Sequence, residues 1–116
     1  MKVLITLNDG PYGSERVYNG LRLAGGLAQK EGVELKVFLV GDAASSAKSG
    51  QKVPKGYYSI QTMLGAVTRH GGKIGVCGSC MDARGLVETE LVEGAHRSSL
   101  EEWAAWTVEA DKALVF

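Results

Sequence analysis

The chain has no excess of either charge: 13 Lys and Arg stand against 13 Asp and Glu over 116 residues. A nucleic-acid partner normally shows itself as a basic excess, so none is expected. Zero net charge also gives little colloidal repulsion, which is compatible with self-association. Long apolar runs are missing too. The opening Val3-Leu4-Ile5-Thr6-Leu7 is too short for a signal-peptide core and far too short to cross a bilayer, so no membrane role is expected. No internal repeat and no low-complexity tract occurs. The only prolines are Pro11 and Pro54, and neither is evidently set to face a redox pair as a cis-proline. Two cysteines are half of a tetrahedral zinc set, and neither His70 nor His96 has finger-like spacing to complete it. No metal and no cofactor is therefore expected, unless a zinc site is shared between subunits.

What is present suffices for a core. Hydrophobic residues make up 45% of the chain, which fits one domain spanning 1–116. Both cysteines fall in Val76-Cys77-Gly78-Ser79-Cys80-Met81-Asp82-Ala83-Arg84-Gly85. A C-x-x-C pair without an export signal points to a reducing, cytoplasmic compartment. There it is more often redox, sulfur or metal chemistry than a structural disulfide.

The pattern around that pair alternates strand and helix. Val3–Leu7 reads as a buried strand, followed by the turn Asn8–Gly13. Ser14 reads as a helix N-cap. Val17, Leu21, Ala24 and Ala28 then form one apolar helical face. Gly20, Gly25 and Gly26 in that helix suggest close packing against a sheet or a neighbouring chain. Leu35–Val40 is a second strand, closed by Gly41-Asp42, with a short helical turn over 43–47. Ser49–Gly56 is a loop beside Lys48, Lys52 and Lys55. Tyr57–His70 reads as a helix, stopped by Gly71-Gly72. The third strand, 73–76, delivers the cysteines. Leu91-Val92 reads as a short strand. Ser99 with Glu102 forms a capping box for a helix running to about Asp111, and 113–116 is a last strand.

Strands joined by helices must be parallel, with right-handed crossovers. The expected architecture is a flavodoxin-like α/β/α sandwich of three layers around a parallel sheet of four or five strands. Loops following the strands then emerge on one side of the sheet. Asn8, Asp9, Asp42 and Cys77 should share a rim. At the start of a helix, free N–H groups favour an anion. Arg84 lies within helical reach to add its charge, and Gly78 permits close approach of backbone or ligand. If these outweigh burial, Cys77 is a thiolate and a nucleophile. Cys80 could resolve it. The residues leave several readings open: sulfur handling, dithiol redox work, an oligomeric ligand-binding subunit without catalysis, or two small buried hydrophobes.

The cysteine segment resembles the cysteine loop of the DsrE/DsrF-like family, which includes sulfur-relay subunits. Val3–Asp9, the Gly50–Tyr57 loop, Gly72-Lys73-Ile74 and Glu109-Ala110-Asp111-Lys112 resemble it as well. The resemblance implies a compact parallel-sheet domain that forms homotrimers or homohexamers. It implies that a cysteine at the position of Cys77 carries sulfur as a persulfide. Its partners would be sulfur donor and acceptor proteins or small thiols. The family's carriers commonly lack a thiol at the position of Cys80, which admits a dithiol role here.

Overall fold

A computed structural model describes residues 1–116. The elements run β1 (Lys2–Leu7), α1 (Arg16–Ala28), β2 (Glu34–Leu39), α2 (Ile60–Arg69), β3 (Lys73–Cys77), α3 (Gly78–Ala83), β4 (Ala95–Ser98), α4 (Leu100–Glu109) and β5 (Lys112–Val115). Short 3-10 segments cover Gly41–Ala47 and Glu88–Glu90. The five strands pair in the order β4-β3-β2-β1-β5, and every pairing is parallel. The α/β sandwich with a parallel sheet, expected from the alternation, is the fold observed.

The sheet's two faces are covered unequally. Side chains alternate along a strand, so Val3, Ile5 and Leu7 of β1 point one way and Leu4 and Thr6 the other. The first set joins Val17, Leu21 and Ala24 of α1 and Leu64 and Val67 of α2 in the main core. The second face is thinner: Leu4, Phe38 and Trp106 form its buried centre under α4. Phe38 stacks on Trp103 with ring centroids 4.8 Å apart and meets Trp106 edge-on at 6.3 Å. Trp103 Nε1 donates to the hydroxyl of buried Thr6 at 3.1 Å. Burying such side chains contributes roughly 1.5–3 kcal/mol each. Gly75 makes room for them, since a Cβ there would lie 3.2 Å from Phe38, Ser98 and Trp106.

Several boundaries differ from the sequence reading. Leu91-Val92 is not a sheet strand. Leu91 makes one antiparallel bridge to Lys48, and Val92 N–H donates to Ala47 at 2.8 Å. Both residues are apolar because they are buried beneath the 41–47 segment. The fourth strand is instead Ala95–Ser98, a polar edge strand. The first helix begins at Arg16 with Glu15 in the capping position, and the Ser14 hydroxyl, one residue further out, donates to Asp9 and accepts from Arg16 N–H at 3.3 Å. The second begins at Ile60 behind Ser59, whose hydroxyl accepts from Thr62 N–H. Tyr57 and Tyr58 lie outside it and pack in a cluster with Tyr12 and Tyr18. Of the three glycines in α1, only Gly20 is crowded, against Leu7; Gly25 and Gly26 face open space. Ser99 caps α4 as expected, but Glu102 does not return the bond, because its carboxylate is taken by Ser98 and His96.

Candidate functional site

β3 is a short buried strand that ends at Cys77, and the chain turns at once into the six-residue α3. That turn sets Cys80 back toward Cys77. Cys80 N–H donates to Cys77 Sγ at 3.3 Å, and the Ser79 hydroxyl lies 3.4 Å from the same sulfur. The two cysteines form a disulfide. They occupy different layers. Cys77 packs against the Phe38–Trp106 cluster, and Cys80 against the main core. Gly41 N–H, from the turn after β2, donates to Cys80 Sγ at 3.1 Å. An N–H aimed at sulfur favours its charged form, so each sulfur has one backbone donor for the moment it becomes a thiolate.

The turns after β1, β2 and β3 do meet. Asn8 C=O accepts from Ala43 N–H at 3.2 Å. Asp42, the next residue back, pairs with Arg84 at 2.6 Å. Arg84 also donates to the Cys80 carbonyl at 3.0 Å. Asn8, Asp42, Arg84 and Cys80 are thus joined on one rim. Asp9 turns away to Ser14 and Arg16. Arg84, expected to hold an anion on Cys77, is engaged on the Cys80 side.

A second guanidinium, one the sequence reading passed over, lies on the Cys77 side. Arg97 stands on β4, where Val76 pairs with Arg97 and Cys77 with Ser98. It forks onto Asp82 with bonds of 2.8 and 2.9 Å. Those hydrogen bonds hold the Asp82 carboxyl below the ordinary carboxylate range and push the Arg97 guanidinium up. The fork crosses over Gly78. A Cβ there would lie 2.9 Å from the Ser98 carbonyl oxygen and 3.0 Å from Arg97 Cζ and Nε. Gly78 is therefore needed for close backbone packing, whatever it offers a ligand.

Between the cysteines and the start of α4 runs a groove of about 510 Å³. Phe38, Val40, Leu100 and Trp103 give it apolar walls, Ser79, Arg97, Ser98 and Ser99 its polar side, and both cysteines line it. Ser98 donates its hydroxyl to Glu102 at 2.6 Å, and His96 contacts the same carboxylate oxygen. Burial pushes the Glu102 carboxyl up, but the bonds from Ser98 and His96 outweigh it and hold the group below its ordinary range. No cluster of three or more His, Cys, Asp or Glu side chains is arranged to hold a metal. No helix is long and apolar enough to cross a membrane.

The model of the DsrE/DsrF-like family matches residues 1–116. The chain belongs to the DsrE/DsrF-like family. This DsrE-like chain is 40% identical to the Escherichia coli protein YchN over 116 residues, covering 99% of this chain and 98% of YchN. It is 34% identical to MJ0989 of Methanocaldococcus jannaschii, with both chains covered in full. The crystal structure of YchN superposes with a TM-score of 0.94, covering 100% of this chain and 99% of that one. A protein of Methanobacterium thermoautotrophicum, MTH1491, shares the fold at 14% identity with a TM-score of 0.77, covering 99% and 98%. The DsrE-like fold thus spans the whole chain, cysteine loop included.

Proposed function

We propose that this DsrE-like protein handles sulfur, with Cys77 as the carrier and Cys80 as the resolving thiol. The observation that carries the reading is the difference between the two sulfurs: both cysteines line the groove, but Cys77 Sγ has the Cys80 N–H and the Ser79 hydroxyl beside it at the head of α3, while Cys80 Sγ takes the Gly41 amide. In the loading step the Cys77 thiolate attacks the outer sulfur of a donor persulfide, R–S–SH. The new S–S bond forms on Cys77, and the donor leaves as the thiolate R–S⁻. An acceptor thiolate reverses the step at the terminal sulfur and frees Cys77. Where no acceptor arrives, the Cys80 thiolate attacks Cys77 Sγ and expels hydrosulfide, closing the disulfide. External thiols then reopen it by exchange. Thiolates are the reacting form throughout. Donor and acceptor are proteins or small thiols, the compartment is the reducing cytoplasm, and the working unit is a homotrimer or homohexamer.

The test is mass analysis of the reduced protein after incubation with a persulfide donor. Wild type should form the Cys77–Cys80 disulfide and release hydrosulfide. Cys80→Ser should accumulate one added sulfur on Cys77. Cys77→Ser should accept none. Sulfur on Cys80 alone, or on neither residue, refutes the reading.

The disulfide itself favours a second reading, dithiol redox exchange. Catalysed reduction of a protein disulfide such as that of insulin, with no persulfide loading in Cys80→Ser, would select it.

A further inference from the structure

We propose that the groove beside Cys77 selects a small organic thiol, or its persulfide, with an uncharged apolar body, and disfavours inorganic anionic sulfur. This deepens the sulfur-handling reading and rests on it for its biological meaning. The first argument is charge. An oxyanion such as thiosulfate needs an uncompensated cation or several free donors in a site this exposed. Both guanidiniums near the pair are already spent. Arg97 is forked onto Asp82, and Arg84 is held by Asp42 and the Cys80 carbonyl. Behind Ser98 stands Glu102, whose bonds keep it ionised. The balance beside the groove is therefore neutral to negative.

The second argument is surface. Phe38 and Trp103 form a stacked pair, and Val40 and Leu100 stand beside the same groove. Leu100 is 71% exposed at the first turn of α4. An apolar side chain left open beside a reactive sulfur gains contact area when an apolar group covers it. About 510 Å³ lies within the usual range for small-molecule sites of roughly 300–1,000 Å³. The third argument is polarity. The Ser98 hydroxyl donates to Glu102, so only its lone pairs remain for a ligand. Ser98 can accept a hydrogen bond from a neutral donor such as an amide or hydroxyl, and it repels an oxyanion.

The selectivity can be read on the disulfide without any persulfide. An incoming thiolate attacks Cys77 Sγ, the Cys77–Cys80 bond breaks, and the electron pair passes to Cys80, where the Gly41 N–H receives the new charge. A second thiolate attacks the mixed disulfide and releases Cys77. The probes are benzyl mercaptan and mercaptoethanesulfonate, with rates expressed per thiolate. The reference is an oxidised Cys-Gly-Ser-Cys peptide. The benzyl-to-sulfonate rate ratio should be about tenfold or more higher on the protein than on the peptide. Leu100→Lys should shrink that excess by removing apolar wall and adding a cation at an exposed position that folding does not need. Equal ratios on protein and peptide, or a preference for the sulfonate, overturn the proposal and direct attention to a partner protein's surface. Persulfide loading of Cys80→Ser is scored separately. Loading without thiol selectivity removes only this inference; selectivity without loading removes only the sulfur-handling reading.

Discussion

Replacing Gly78 with alanine sets two known effects against each other. Alanine is the better helix former by about 1 kcal/mol in a helix interior, and Gly78 opens α3. Against that gain, the new Cβ would lie 2.9 Å from the Ser98 carbonyl oxygen and 3.0 Å from Arg97 Cζ and Nε. The carbonyl belongs to β4 and cannot swing aside as a side chain can. Overpacking of this kind costs about 1–3 kcal/mol. Opening the solvent-exposed Arg97–Asp82 fork adds little, because solvent screens such a pair. The net expectation is a loss of about 1–2 kcal/mol. With about 2.1 cal/mol/K of unfolding entropy per residue, that lowers the melting temperature of a chain this size by about 4–8 °C. Calorimetry on the oxidised protein measures it. A double-mutant cycle with Arg97→Ala then apportions the clash. If the guanidinium is the obstacle, the cost of Gly78→Ala falls in the Arg97→Ala background; if the carbonyl is, the cost stays. A melting temperature unchanged or raised by Gly78→Ala would refute the claim that β4 presses on the cysteine loop.

Gly26→Ala should stabilise by about 0.5–1 kcal/mol, since its Cβ meets nothing within 4 Å. Gly20→Ala should destabilise by about 1–3 kcal/mol through collision with Leu7; urea titration reads both. Trp103→Phe keeps an aromatic ring over Phe38 but leaves the buried Thr6 hydroxyl without its donor. It should cost about 1–2 kcal/mol in the same assay. Asp82, Glu90, Glu102 and Glu109 are all held below the ordinary carboxylate range. A carboxyl depressed in the folded state gives its full stabilisation above its unfolded-state value of about 4.3 and loses it as pH falls through the folded value. Stability should therefore be level down to about pH 5 and fall on further acidification. Glu102→Gln should make that fall shallower, as melting temperatures recorded across the acid range would show; an unchanged slope refutes the assignment.

The elements that sequence disclosed are those whose apolar pattern matches their burial. β1, β2 and β3 are buried runs, and their carboxyl ends brought Asn8, Asp42 and the cysteines together as the parallel alternation requires. β4 escaped because an edge strand beneath a partial layer has no need of a continuous apolar run. Ala95-His96-Arg97-Ser98 is only half-buried to exposed along its length. The apolar Leu91-Val92 drew the strand assignment four residues too early, although its burial comes from a loop packed over it. Losing β4 meant losing Arg97, the cation nearest Gly78. One signal was available: Ser99 caps α4, and in an alternating fold a strand directly before that cap supplies the missing partner for β3. Arg84 was legible as a cation at helical reach, but not its engagement, because Asp42 comes from 42 residues upstream.

The unequal layers also give the two sulfurs different surroundings. On the α1–α2 side, Cys80 is packed against the main core and held by Gly41. On the α4 side, one helix covers the sheet, and the groove beside Cys77 is what it leaves open. Both cysteines are half-buried and line that groove, so what separates them is the layer each packs against and the donor each sulfur meets. Four alanine or serine side chains of the 41–47 segment, Ala43, Ala44, Ser46 and Ala47, are fully buried, which fixes the Gly41 amide against Cys80. Thiol–disulfide exchange depends on which sulfur is attacked and which leaves. The fold distinguishes the two sulfurs by the layer each packs against, and it places the Gly41 N–H where Cys80 would leave as a thiolate. Mass mapping of the mixed disulfide should find the incoming thiol on Cys77, because Cys80 leaves as the thiolate that the Gly41 N–H receives. A mixed disulfide formed on Cys80 in wild type would refute the assignment of Cys77 as the attacked sulfur.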